Sequence, residues 1–229
     1  MGGMAETLTG QQVADAGLAD WRQLWMRLCA RFETRDFATG LALVNAIGAA
    51  AEQLDHHPDL DLRYGHLDVR LMSHDVQGLT ERDLRLAAAV SGLAADLGVR
   101  ARVDQLTFVE IGLDSSDLEE VRPFWKAVLG LDDLLFRGEP SHDLIDFTDQ
   151  VPNLWFQGTE PHEPPRQRFH YDVHVPHDLA EARVAAAVEA GGTLVADEYA
   201  PSFWVLADPQ GNKACICTWQ DSAPRQDRD

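Results

Sequence analysis

Two adjacent histidines, His56 and His57, stand between Asp55 and Pro58, and a third, His74, follows further along the chain. Neutral imidazole titrates close to physiological pH, so three such rings can give and take protons with little tuning. Taken one at a time, they are more simply two surface histidines beside a turn and a strand-end ring bonded to backbone. Glu52 lies four residues before His56, and on a continuing helix the two would share one face near its C-terminal end. A zinc site made from the trio is disfavoured, because adjacent side chains diverge and no fourth ligand is evident.

The elements that must position these rings can be read from periodicity. Phe37, Leu41, Val44, Ile47, Ala51 and Leu54 recur at steps of three and four, which predicts a helix with that face packed on a sheet. Asp36 is its N-cap, and Pro58 bars any continuation. Upstream, Thr9 to Gln12 opens a short helix ending near Gly17, and Trp21 to Thr34 reads as two strands or a bent hairpin. Tyr64 to Ser73 is a strand, with Leu67, Val69 and Leu71 on one side and His66, Asp68, Arg70 and Met72 on the other. Thr80, with Asp83 three residues on, marks a helix start of capping-box type, and Gly98 ends that helix. The expectation is an α+β domain over residues 1–103, an antiparallel sheet with helices on one face.

After a polar junction at residues 100–105, the chain repeats itself imperfectly. The first copy runs from the strand Leu106–Leu113 through a helix holding Phe124 to Gly130, then short strands near 134–136, 144–147 and 153–157. The second has a strand at 169–175, a helix at 179–190 stopped by Gly191 and Gly192, and strands near Leu194, 203–207 and 214–219. Residues 106–220 are therefore read as a second domain of paired βαβββ modules.

A formal net charge of −19 argues against nucleic acid or an anionic membrane as partner. The three cysteines, Cys29, Cys215 and Cys217, do not form a disulfide framework, and a reducing cytoplasm fits them. No stretch approaches the ~18 apolar residues of a membrane span. No basic region followed by an apolar run suggests a secretion signal.

The run Ala51 to Pro58, then Tyr64, Ser73-His74 and Gly78-Leu79-Thr80-Glu81-Arg82-Asp83, resembles the pterin-4a-carbinolamine dehydratases in order and spacing. That resemblance implies dehydration of 4a-hydroxytetrahydropterin to quinonoid dihydropterin and water, without metal or cofactor. It implies that His56, His57 and His74 line a pterin pocket and move its protons, with Glu52 and Asp83 as supporting carboxylates. Leu60 stands where family members carry tryptophan, which bears on pocket width and substrate preference.

Residues 106–220 resemble the glyoxalase/bleomycin-resistance (vicinal oxygen chelate) superfamily through Phe124-Trp125, Val128-Leu129-Gly130, Arg168 to Val173, and Ala207 to Asn212. The metal positions this implies are Glu110, a residue near Gln157, His170 and Cys215. Cysteine at the last place suits Mg²⁺, Mn²⁺ or Fe²⁺ poorly. Glu110 and His170 are candidates only for a weak site, and the favoured expectation is a polar cleft without tight metal, zinc being the ion that would fit. The cleft would take an unidentified small organic ligand between walls including Trp155 and Trp204. Two other functions stay open: metal-dependent lyase, isomerase or dioxygenase chemistry in the second domain, or a non-catalytic dimerisation and small-molecule-binding protein. Self-association is likewise open.

Overall fold

A computed structural model describes residues 6–136, 139–161, 169–207 and 213–221. Residues 208–212 of the Ala207–Asn212 motif lie outside them. The chain divides into two compact units, Met1–Leu106 and Thr107–Asp229.

In the first unit α1 (Gly10–Asp15) is opened by a reciprocal capping box between Thr9 and Gln12. β1 (Arg22–Leu24) and β2 (Arg27–Glu33) form an antiparallel hairpin, followed by α2 (Phe37–Leu54). Then come β3 (Asp59–Leu62), β4 (His66–Leu71), α3 (Glu81–Asp96) and the short β5 (Arg100–Ala101). The sheet order is β1-β2-β4-β3, with β5 on β2, and every pairing is antiparallel. The inward side of β4 packs Leu67, Val69 and Leu71 against Leu43 and Ile47 of α2 and Leu86 and Val90 of α3, all fully buried with Phe32. On the sheet's other side, Arg31 meets its register partner Asp68 at 2.6 Å.

The face that α2 buries is not quite the expected one. Gly40, Leu43, Ile47 and Ala51 face the sheet, whereas Phe37, Leu41 and Leu54 are exposed. Alanines and glycines around the helix leave two apolar stripes, and close approach selects the one with Gly40. A Cβ there would lie 2.5 Å from a Leu62 methyl. By length and hydropathy α2 also meets the criterion for a membrane span, contrary to the expectation of none. Here that helix is docked on the sheet.

The second unit contains β6 (Phe108–Ser115), α4 (Leu118–Leu129), β7 (Asp132–Phe136), β8 (Glu139–Ile145) and β9 (Asn153–Gly158). These are followed by β10 (Phe169–His174), α5 (Ala180–Glu189), β11 (Thr193–Ala196), β12 (Phe203–Ala207) and β13 (Lys213–Cys217). The repeat is visible in one sheet of order β11-β12-β13-β10-β6-β9-β8-β7. In each half the first strand pairs in parallel with the last, and the halves join through antiparallel β6 and β10. Period two then separates two faces. Ile111, Leu113, Leu154 and Phe156 pack with Trp125 in one cluster, and Trp204, Leu206 and Ile216 with Val184 in another. Residues of opposite parity, including Glu110, Trp155, Asp172 and Cys215, occupy the other face. Trp204 is therefore core, and of the two expected cleft tryptophans only Trp155 lines the cleft.

Candidate active site

His56 owes its position to the way α2 stops. Asp55 adopts the left-handed conformation (φ 48°, ψ 44°), and the His56 N–H returns to the Ala51 carbonyl at 3.1 Å. With the Asp55 N–H on the Glu52 carbonyl, this is a Schellman-type ending. It turns the chain off the helix axis, so His56 folds inward, only 7% exposed, while His57 points out. The adjacent rings diverge. Consequently Glu52 partners His57, at 3.0 Å on the surface, and not His56 as a continuing helix would have had it.

The inward ring meets a helix cap. Asp83, fully buried in the first turn of α3, places Oδ1 2.8 Å from His56 Nε2. Its Oδ2 accepts the Thr80 backbone N–H at 2.7 Å and the Ser73 hydroxyl at 2.8 Å, with the Thr80 hydroxyl at 3.3 Å. The helix N-terminus favours the negative charge. A carboxylate only accepts, so the network assigns the imidazole proton to Nε2 and leaves Nδ1 as the other ring nitrogen. A sequence-visible cap is thus also the device that orients a histidine.

His74 is exposed in the turn between Ser73 and Gly78, which are bridge partners. That turn borders the buried network on two counts. Ser73 belongs to the network, and Asp75 reaches Arg82 of α3. The Arg82 guanidinium holds the Asp75 carboxyl below the usual range. The structure therefore brings His56, Asp83, Ser73 and Thr80 into one net, sets His74 at its margin, and leaves His57 and Glu52 as a separate surface pair. Ser73 as a contributor could not be read from spacing alone. Leu60 is half-buried on β3 against the core, and Tyr64 is exposed between β3 and β4.

In the second unit, a cavity of about 690 Å³ lies on the polar face of the sheet, lined by Trp155, Phe169, His170, Tyr199, Phe203 and Lys213 among others. Glu110 is bonded to His174 at 2.8 Å, while His170 lies 3.6 Å from Asp172 and close to Cys215. Burial, with the Asp172 charge beside it, pushes the Cys215 thiol up to about 12, and burial raises Cys217 further. Of the metal positions implied by the resemblance, Glu110 is engaged elsewhere, and His170 and Cys215 remain together with Asp172. Neither Asp172 nor the Glu110–His174 pair was singled out from the sequence, although alternation along β10 puts His170, Asp172 and His174 on one face, to which Glu110 of β6 is added by its register with Asp172.

These features define an α+β unit with a capped, oriented histidine, joined to a pair of βαβββ modules around a cleft. The chain belongs to the pterin 4 alpha carbinolamine dehydratase family, whose profile matches residues 6–93, and a glyoxalase-like domain profile matches residues 110–217. A protein of Thermosynechococcus vestitus, provisionally named a pterin-4-alpha-carbinolamine dehydratase, is 40% identical over 93 residues, covering 40% of this chain and 98% of the relative. A similarly named protein of Halorhodospira halophila is 46% identical over 65 residues, covering 28% of this chain and 60% of its own length. Among solved structures, a transcriptional coactivator/pterin dehydratase from Brucella melitensis is 29% identical, covering 39% of this chain and 99% of that one, at TM-score 0.38.

Proposed function

We propose that the first unit dehydrates a 4a-hydroxytetrahydropterin, with His56, His57 and His74 as its proton-transfer groups and Glu52 and Asp83 as supporting carboxylates. The observation that carries this reading is the His56–Asp83 pair of 2.8 Å, buried beside a turn that presents His74. In the reaction the C4a–oxygen bond breaks, the oxygen leaves as water after protonation, and loss of the N5 proton forms the C4a=N5 bond. One acid and one base suffice, and each contributes ~10²–10⁴-fold when positioned. The exposed rings of His57 and His74 are accessible to substrate. His56, held by Asp83, offers a fixed tautomer. No metal or cofactor enters these steps. The product is a small molecule, and a reducing compartment suits the three free cysteines.

The test is kinetic. His57→Ala and His74→Ala should each lower kcat/KM for dehydration by about 10²-fold or more while the protein stays folded. Turnover like that of the unaltered protein in either folded variant removes that residue from the mechanism.

A further inference from the structure

We propose that the cleft of the second unit binds one divalent ion of the zinc type on His170, Asp172 and Cys215, a donor set different from the one its superfamily resemblance implies. The inference is independent of the dehydratase reading and starts from strand register. His170 and Asp172 are two apart on β10 and so share a face, and Asp172 is the register partner of Cys215 on parallel β13. One ligand atom from each of the three lies within 4.8 Å of the others. They offer an imidazole nitrogen, a carboxylate oxygen and a sulfur. Zinc accepts all three types, whereas Mg²⁺ and Ca²⁺ call for oxygen.

A second observation concerns charge. Asp172 is also the register partner of Glu110 on antiparallel β6, and the two residues are 8% and 7% exposed. Like charges placed opposite one another on a sheet destabilise it, the more so away from water. His174 answers Glu110 at 2.8 Å, whereas Asp172 takes a hydrogen bond from the neutral Cys215 thiol and has His170 at 3.6 Å, at ion-pair range rather than hydrogen-bond length. A cation between Asp172, His170 and Cys215 neutralises the second carboxylate, the thiol proton leaving to solvent as the sulfur–metal bond forms.

Third, the backbone is shaped for the ring. Gly112 is the register partner of His170, and a Cβ at Gly112 would fall 2.4 Å from His170 Cε1 and 2.6 Å from Nε2. The absent side chain lets the imidazole lie over β6. Three protein donors leave a coordination position open, the pattern of reactive rather than structural zinc, and these donors line the cavity of about 690 Å³.

The experiment uses the full chain, stripped of metal, with Co²⁺ and Zn²⁺ as probes. The expected result is one equivalent of Co²⁺ with a near-ultraviolet thiolate-to-cobalt charge-transfer band, displaced by Zn²⁺. Cys215→Ser should abolish the band. Asp172→Asn and Gly112→Ala should each weaken Zn²⁺ binding by about tenfold or more, and Glu110→Gln should leave it within a few-fold. Circular dichroism identifies the folded variants, and Asp172→Asn alone decides the matter if Cys215→Ser does not fold. Substoichiometric binding by the unaltered chain, or binding lost in Glu110→Gln and kept in Asp172→Asn, overturns the proposal.

Discussion

Both units place a buried carboxylate 2.8 Å from an imidazole, His56 with Asp83 in the first and His174 with Glu110 in the second. The surroundings differ. Asp83 sits in the first turn of a helix, where a backbone N–H and a serine hydroxyl saturate its second oxygen. Glu110 sits mid-strand, opposite a second carboxylate. The same pair is thus self-sufficient in one place and only half of a charge balance in the other. A helix cap can hold a histidine by itself, whereas a polar sheet face needs a cation or a proton to complete it.

The largest effect that would break this comparison is at Asp83. Asp83→Ala leaves His56, the Thr80 amide and the Ser73 hydroxyl without their acceptor in a fully buried position, and should destabilise the first unit by about 3–5 kcal/mol. Urea unfolding measures it, and a cost below about 1 kcal/mol would mean that the cap does not organise the site.

Substituting asparagine sharpens the contrast, because the sign should reverse between units. Asp83→Asn should cost about 1–3 kcal/mol, since an amide cannot accept all three donors. Asp172→Asn, in metal-free buffer, removes a like charge opposite Glu110 and should be neutral or stabilising by about 0.2–1 kcal/mol. Equal losses at both positions would show the two carboxylates to be equivalent.

Much of this contrast was legible in the residues, and the limits have physical causes. Thr80 and Asp83 announce a capping box because its chemistry is local, three residues apart. That His56 takes Asp83's other oxygen, Oδ1, is tertiary, and depends on Asp55 adopting a left-handed conformation that spacing does not disclose. The α2 face differs from the expected one because alanine and glycine weaken the contrast between stripes, and Gly40 settles it through close packing with Leu62. In the second unit the repeat exposed the strand order, but register decides which polar residues meet. A sequence shows that Glu110 and Asp172 alternate inward, not that they lie opposite one another.

The smallest effect concerns the exposed pair. Glu52 and His57 side chains are 79% and 60% exposed, so Glu52→Ala should change stability by no more than about 0.5 kcal/mol. Its expected consequence is for turnover. A stability loss above 1 kcal/mol would make Glu52 a structural residue.

Dehydration by the first unit is tested by presenting the full chain with freshly generated 4a-hydroxytetrahydropterin and following quinonoid dihydropterin formation against the spontaneous reaction. The expected result is a protein-dependent rate that saturates with substrate, survives exhaustive metal chelation and falls about 10²-fold in His74→Ala. A rate no faster than the uncatalysed one, with the protein folded, would contradict it.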